Sequence, residues 1–493
     1  MNAFTALLTA RAHEQGRAQR TAKLRHRAIA KNPLCIAAYQ LGAEPYSIGA
    51  IAFGTQASGT RVFVPGYPLN RQLLFDELLR FAKEFCPALE AYANSPCEEV
   101  EHFGQTLLVP KQLPQVIVAN NETISLLGRL GRRLAFLPVE GKYAADPLLP
   151  RLGRHLLLLA QHAKLPGQQL VLSVTELLAT HYVTAMSNVE TGSLAALNVW
   201  INPPEGAHGF HAAEVAERQA VGPTPSPSDG ETIFGLMNTF NERRKGSTDA
   251  AVVQKCVQPL RTLYGSMIQT TWNLIWQALD RERAIAEASS IKRREREDRI
   301  AYASHMAWMN GPAGGRRRTR MTARNAALRL DALERAQTRL IAEEAIDDPL
   351  RMAPILLAGK ALAGKVIARD VERREVISGR NCLRPSITVR TCEPCAMPRG
   401  AELWWTETSG GREWAVHNVA SAGGGSDVTL VLRTNRLPDI GMPKVGGRVT
   451  FSQLNTGGGY ELFLPAKAPW THRAPEPPTE VDLDYNGLGA EAA

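Results

Sequence analysis

The sequence contains few cysteines and no long apolar run, and both absences restrict its class. Seven cysteines among 493 residues are odd in number and scattered along the chain, a usage typical of reduced thiols rather than of a disulfide framework. The longest apolar candidate, 156–160, ends at once in Gln161 and His162, whereas a membrane helix needs about 18–20 apolar residues. We therefore expect a protein without membrane contact.

Complete catalytic and metal-binding motifs are also missing. Residues 359–366 come close to a phosphate-binding loop, but Val366 stands where that loop needs a Ser or Thr hydroxyl for Mg²⁺. Cys392 and Cys395 form one pair with Cys382 upstream, and no second pair follows to complete a tetrahedral zinc site. The sequence predicts no catalytic residue, cofactor or metal and favours a non-enzymatic role, although zinc at these three thiols stays open.

The overall composition is that of an ordinary globular protein. Hydrophobic residues make up 44% and charged residues 21% of the chain, which excludes a wholly disordered or collagen-like protein. At the N-terminus the apolar residues 1–8 precede the basic stretch, the reverse of the order in a secretory signal. The expected location is the cytoplasm.

Positive charge is concentrated in two segments of the chain, whose formal net charge is +9. Residues 1–35 contain seven Lys and Arg against Glu14 alone, and residues 281–330 contain thirteen against five acids. The rest of the chain is therefore mildly acidic. Because clustered cations attract polyanions, the expected partner is nucleic acid, either DNA or RNA.

The N-terminal half divides into three predicted parts. Residues 1–34 indicate a basic N-terminal arm, which Pro33 ends. Residues 35–205 indicate a mixed α/β domain, because a buried strand, a capping residue and a helix follow one another twice. Residues 206–246 are rich in alternating prolines and predict a linker.

Long helical periodicity follows the predicted linker. Apolar residues recur every three or four positions from Leu260 to Leu279, and no Gly or Pro interrupts 266–309. A Gly- and Pro-rich break at 310–315 precedes a second helical pattern over 319–346. Two helices joined by a short loop fold back on each other, so the segment 247–348 predicts a long antiparallel hairpin with a basic tip.

The C-terminal part is rich in strands. Residues 360–474 alternate β-like runs with glycine-rich turns and predict a small β-barrel. Residues 475–493 are acidic and predict a disordered tail. The expected fold class is therefore multidomain α+β, with an N-terminal α/β region, a long antiparallel helical hairpin and a C-terminal small β-barrel.

The candidate nucleic-acid-binding residues are mostly arginines, because a guanidinium binds phosphate bidentately and stays charged at cellular pH. The hairpin tip has a run of them without an acid; the helix before it, the basic arm and one barrel tryptophan extend the surface. The set comprises Arg316, Arg317, Arg318, Arg320, Arg324, Lys292, Arg293, Arg25, Arg27 and Trp405.

Each of these candidates has an alternative interpretation. Lys292 and Arg293 are interleaved with acids, as on a solvated, salt-bridged helix face. The arginines of the tip fit an acidic protein surface as well as a phosphate backbone. Trp404 and Trp405 are adjacent in a strand and must point to opposite faces, so we expect one in the core and the other exposed as a contact surface.

The order of a helical hairpin and a barrel over 250–473 resembles the stalk and barrel accessory parts of superfamily 1 helicases. The motor motifs of those enzymes are absent from the sequence, so the chain is not a complete motor. The resemblance is architectural and implies an accessory rather than a catalytic part.

The leading hypothesis is a non-catalytic nucleic-acid-binding subunit of a larger assembly, holding phosphates through the basic arm and the hairpin tip. Other protein subunits, such as a motor or a nuclease, are the expected partners. One alternative is an adaptor that binds protein only through its long helices. Another is an enzyme with its site in 35–205, at the strand ends before Asn120 or Thr175.

Overall fold

The computed structural model describes residues 2–41, 44–187, 192–311, 321–407, 413–433, 441–454, 456 and 462–464. The strands within these ranges are β1 (Gln19–Arg20), β2 (Leu34–Leu41), β3 (Glu44–Thr55), β4 (Gly59–Phe63), β5 (Cys97–His102), β6 (Gln105–Pro110), β7 (Val116–Val118), β8 (Val171–Ser173), β9 (Tyr182–Val183), β10 (Ala361–Asp370), β11 (Arg374–Ile377), β12 (Arg380–Leu383), β13 (Ser386–Thr391), β14 (Glu402–Trp405), β15 (Glu413–Ala422), β16 (Gly425–Leu432) and β17 (Arg448–Ser452).

The α-helices within the same ranges are α1 (Ala3–Gln15), α2 (Arg71–Glu90), α3 (Asn121–Ala135), α4 (Leu148–His162), α5 (Val174–His181), α6 (Leu194–Ile201), α7 (Gly209–Ala216), α8 (Pro227–Arg244), α9 (Ala250–Arg283), α10 (Ile291–Asn310), α11 (Ala323–Asp347) and α12 (Pro349–Leu357). None of these helices combines the length and the apolarity that crossing a bilayer requires.

The chain divides into two compact units, and the protein is multidomain α+β as the sequence predicts. The α/β unit comprises residues 8–20 and 25–329, and the barrel unit comprises 330–464 with the short segments 1–7 and 21–24. The expected boundaries at 246 and 348 are not those of the structure, because the division falls within α11, after Arg329. Helices α10 and most of α11 therefore belong to different units rather than to one hairpin domain.

A five-stranded mixed sheet with the order β4-β3-β2-β7-β8 forms the centre of the α/β unit. Strands β2, β7 and β8 run parallel, and β3 and β4 add to them antiparallel. The sequences of β7 and β8 are short apolar runs buried on both faces, as parallel strands usually are. The predicted order of strand, cap and helix is confirmed: Asn120 caps α3 through its side chain, while α5 is capped by Ser173 rather than opened by Thr175.

Strand β2 sends alternate side chains to the two faces of the sheet. Leu34, Ile36 and Ala38 pack with α2, α3, α4 and part of α10. Cys35 faces the other way and packs with α5, α6 and α9, while Tyr39 on that face packs with α8 and α9. The sheet therefore lies between two helical layers.

The predicted linker 206–246 is helical instead. Ser226 caps α8, and Pro227 occupies its first turn, where a missing N–H costs nothing. Ile233, Met237 and Phe240 recur at helical spacing and are buried against the sheet. Pro223 and Pro225 lie in the non-helical stretch between α7 and α8, so the helices form on either side of the prolines.

The single helix expected over 247–309 is two helices, and the first belongs to the core of the α/β unit. Tyr264 and Ile275 of α9 are buried against the sheet layer and its helices. Between α9 and α10 the chain forms backbone hydrogen bonds with Arg25. The backbone N–H of Arg25 donates to the carbonyl of Ala286, and the carbonyl of Arg25 accepts from the N–H of Ala288. A backbone that accepts a neighbouring segment in this way cannot continue as a helix.

The barrel is closed, with the antiparallel order β10-β13-β16-β15-β14-β17. Its interior is filled by residues such as Val389, Leu430, Trp414 and Phe451, the last two ring centroids lying 5.5 Å apart. The hairpin β11–β12 is inserted between β10 and β13. The expected tail 475–493 lies outside the described residues.

Helices α3 and α4 approach closely because glycines face each other at their contact. A Cβ added at Gly153 would lie 2.3 Å from the backbone N of Ala135. Gly265 of α9 has open space around the same position. We expect Gly153→Ala to lower the free energy of unfolding by about 1–3 kcal/mol through overpacking.

Gly265→Ala is the matched control for this prediction. It should raise the free energy of unfolding by about 0.5–1 kcal/mol, because alanine loses less backbone entropy in a helix. Urea unfolding followed by circular dichroism measures both changes. Equal effects of the two variants would contradict the close α3–α4 contact.

Candidate functional site

Four of the five predicted arginines of the hairpin tip lie outside the described residues, and the fifth, Arg324, lies within them. Arg316, Arg317, Arg318 and Arg320 fall in the range 312–320. Arg324 lies in the first turn of α11 and is exposed. Only Arg324 of the predicted tip can therefore be placed as a surface cation.

The arginines of the expected basic arm are buried, which corrects their predicted role. Arg25 is 5% exposed; its guanidinium lies 2.5 Å from the Glu287 carboxylate and donates to the Arg27 carbonyl at 2.6 Å. Arg27 is also buried, and it donates to the carbonyl of His26 at 3.0 Å. Guanidiniums used in this way cannot reach a phosphate, so Arg25 and Arg27 belong to the interior of the α/β unit rather than to a free arm.

The two candidates on α10 differ in exposure. Lys292 is exposed, whereas Arg293 is half-buried and ion-paired with Glu297. The next turns of the same helix point inward, and Asp298 accepts from the His162 ring at 2.6 Å. The helix therefore has one solvated face, as the alternative interpretation of this stretch proposes, and one face built into the core.

Trp405 packs onto the barrel core. It is half-buried and stacks with Phe451 at 6.5 Å between ring centroids. Trp404 is half-buried as well, and Trp414 is the tryptophan of the barrel interior. The expectation of one core ring and one exposed ring at 404–405 is therefore wrong, because both side chains are partly exposed to solvent.

The barrel unit contains a cleft lined by cations from separate elements. Its volume is about 430 Å³, within the range of ligand sites. Three arginines and a histidine face it: Arg384, Arg399, Arg433 and His417. The remaining lining residues are Glu375, Ile377, Gly400, Ala415, Val416 and Val431.

Backbone hydrogen bonds hold the cationic segments in place. The N–H of Arg384 donates to the carbonyl of Arg373 at 2.7 Å, which closes the end of the hairpin β11–β12. Gly400, next to Arg399, donates to the carbonyl of Val416 at 2.7 Å. The side chains therefore converge because strands and turns from different parts of the barrel meet there.

The cleft arginines differ in their ion pairs, and Glu375 lines the cleft beside them. Arg433 lies 3.2 Å from Glu402 and 3.1 Å from Glu413. Arg399 is exposed and makes no ion pair with the rest of the described chain. By contrast, Arg390 on the barrel wall forms a two-bond pair with Asp427, whose hydrogen bonds from that guanidinium lower the pKa of the Asp427 carboxyl. Guanidinium and imidazole groups of this kind are donors that an oxyanion such as phosphate can accept from.

Of the strand ends proposed for an enzyme site, the one at Asn120 is covered by the chain itself. The Asn120 side chain donates to the carbonyl of Gly222 at 2.6 Å, and the N–H of Gln40 donates to Pro223 at 2.8 Å. The Tyr39 hydroxyl donates to the carbonyl of Ala220 at 3.0 Å. The segment 220–223 thus occupies the edge where a substrate would enter.

The cleft residues escape sequence reasoning. Arg384, Arg399 and Arg433 are spread over 384–433 and separated by strands and turns. No motif or charge run marks them, and the only signal is an excess of arginine within a region that predicts a barrel. Their convergence depends on closure of the barrel.

Burial of Arg25 leads to a direct prediction. Arg25→Ala should lower the free energy of unfolding by about 1–3 kcal/mol, because buried acceptors lose a charged donor. It should leave the affinity for nucleic acid unchanged. Thermal unfolding and fluorescence anisotropy measure the two effects, and a loss of affinity in a folded, equally stable variant would contradict this assignment.

The chain matches no protein-family model, and comparison with curated proteins and with solved structures likewise finds no match.

Proposed function

We propose that the chain is a non-catalytic nucleic-acid-binding subunit of a larger assembly and that the barrel cleft binds the phosphate backbone. The observation that supports this proposal most is the convergence of Arg384, Arg399 and Arg433 on one cleft. Guanidiniums match phosphate oxygens bidentately, and contacts of this kind position nucleic acid without reading its sequence.

The surroundings of the cleft extend the same chemistry. Glu375 and Ile377 line it from β11, and the exposed side chains of Arg374 and Arg380 belong to the same hairpin. A backbone leaving the cleft along this hairpin meets further cations. His417 on the cleft wall adds a ring N–H donor for a phosphate oxygen.

Cations outside the barrel unit are a second part of the proposal. Lys292 and Arg324 are exposed, and the sequence supplies the run Arg316–Arg318 between them in chain order. Their contribution to binding would be additive and independent of base sequence, because each phosphate contact releases counterions separately.

A charge-matched pair of variants tests the cleft. Arg384, Arg399 and Arg433→Ala removes the cleft cations; Lys365, Arg369 and Arg448→Ala removes as many exposed cations of the same barrel that do not line it. The cleft variant should lower affinity at least about 10-fold and reduce the slope of log K against log salt by about 2–3, since each duplex phosphate contact contributes roughly 0.9. The matched variant should change both much less.

Fluorescence anisotropy with labelled single-stranded and duplex DNA and RNA, at several salt concentrations, makes these measurements. Equal losses in the two variants would place binding outside the cleft. A wild-type protein that binds none of the four probes would contradict the proposed function and favour the protein-only adaptor. Arg316, Arg317, Arg318→Ala measures the share of the arginine run in the same assay.

A further inference from the structure

A thiol, a carboxylate and an imidazole lie close together inside the α/β unit. These groups are typical metal ligands rather than phosphate-binding groups. Cys86 and Glu90 lie four residues apart on α2, so both side chains point to one face of the helix. His155 extends from α4, which packs against α2. One ligand atom from each of the three residues lies within 4.8 Å of the others.

The cluster is buried, with one side nearer to solvent. Cys86 is 1% exposed and His155 is fully buried, whereas the side chain of Glu90 is 21% exposed. Buried polar groups of three different chemistries are costly to place together unless each has a partner. Their juxtaposition is therefore a constraint on the fold rather than an accident of surface composition.

Glu90 is held as a carboxylate by two charged or polar neighbours. The His155 Nε2 lies 2.7 Å and the Arg151 Nε lies 2.6 Å from the same Glu90 oxygen. Burial opposes the charge, but these hydrogen bonds outweigh it and lower the pKa of Glu90 to about 2. The second carboxylate oxygen has no part in either bond.

An outer layer of groups supports the histidine and the arginine. The Nε2 of His305, from α10, lies 3.3 Å from the Nδ1 of His155. The Arg151 guanidinium also donates to the Asn310 side chain at 3.2 Å. A metal-binding histidine usually has such a partner at its other ring nitrogen, which fixes the ring and the tautomer.

We propose that Cys86, Glu90 and His155 bind a divalent metal ion of the zinc class. A thiolate and an imidazole select zinc over magnesium or calcium, whose preferred ligands are oxygens. Three protein ligands leave one position of a tetrahedral ion for water, on the side where Glu90 reaches solvent. This proposal does not depend on nucleic-acid binding.

Binding requires two proton movements that the cluster can accommodate. Burial raises the pKa of Cys86 to about 12, so the thiol must release its proton to solvent as the metal arrives. The His155 proton moves from Nε2, which then faces the ion, to Nδ1, where the His305 ring accepts a hydrogen bond. Arg151 keeps its bond to Glu90, and the two anionic ligands neutralise the ion.

Zinc titration of the metal-free full chain tests the site. The protein is stripped with a chelator and desalted, and it contains Cys392→Ser and Cys395→Ser to remove the Cys-x-x-Cys pair of the barrel unit. Isothermal calorimetry should find one zinc ion per chain. Cys86→Ser and His155→Gln should each lower the affinity at least about 100-fold, since loss of an outer partner alone costs 10–100-fold.

Four further measurements separate a metal site from a structural network. Cys35→Ala removes another fully buried thiol, of β2, and should leave zinc affinity unchanged. Co²⁺ should give a thiolate-to-metal charge-transfer band that Cys86→Ser abolishes. His305→Asn should weaken zinc binding about 10–100-fold. Zinc should raise the unfolding temperature of the protein only when Cys86 and His155 are intact.

The proposal is overturned by either of two results. One is the absence of stoichiometric zinc uptake when Cys392 and Cys395 are replaced. The other is uptake that Cys86→Ser leaves undiminished. Both would assign the cluster to the hydrogen-bonded network that joins α2, α4 and α10, with no effect on the test of the barrel cleft.

Discussion

Burial of the long helix α9 on the sheet is the constraint on which the rest of the α/β unit depends. Its apolar positions, among them Tyr264, Trp272 and Ile275, pack against the face of β2 that also receives α5, α6 and α8. Helices are stabilised mainly by such packing of an apolar face rather than by propensity. A helix fixed in this way belongs to the core, so the apolar face of α9 is already occupied by the sheet and its neighbouring helices.

Three buried pairs of histidine and carboxylate extend this arrangement to polar groups. His155 pairs with Glu90, His162 with Asp298, and His181 with Glu282, at 2.7, 2.6 and 2.6 Å. The backbone N–H of His26 donates to the Nε2 of His181 at 3.0 Å, and the Nδ1 of that ring lies 2.6 Å from a Glu282 oxygen. Removing one member of a buried pair is strongly destabilising, because the charge that remains is poorly compensated.

Local structure was predictable from the sequence, and tertiary placement was not. Asn120 marks the start of α3 because it is a good cap at the end of an apolar run, and the glycine-rich turns after 360 indicate a barrel. Nothing local shows that Arg25 meets Glu287, 262 residues away, or that α8 returns to the sheet. Likewise, Arg399 becomes a site residue only when the barrel closes and brings other strands beside it.

Ultraviolet cross-linking of a single-stranded oligonucleotide to the intact chain, followed by mass spectrometry of the peptides, would locate the nucleic-acid contacts. We expect cross-links in the segments around Arg384, Arg399 and Arg433, with or without further ones near Arg316–Arg318. Cross-links that avoid the barrel altogether, or none above those of an unrelated basic protein, would contradict this expectation.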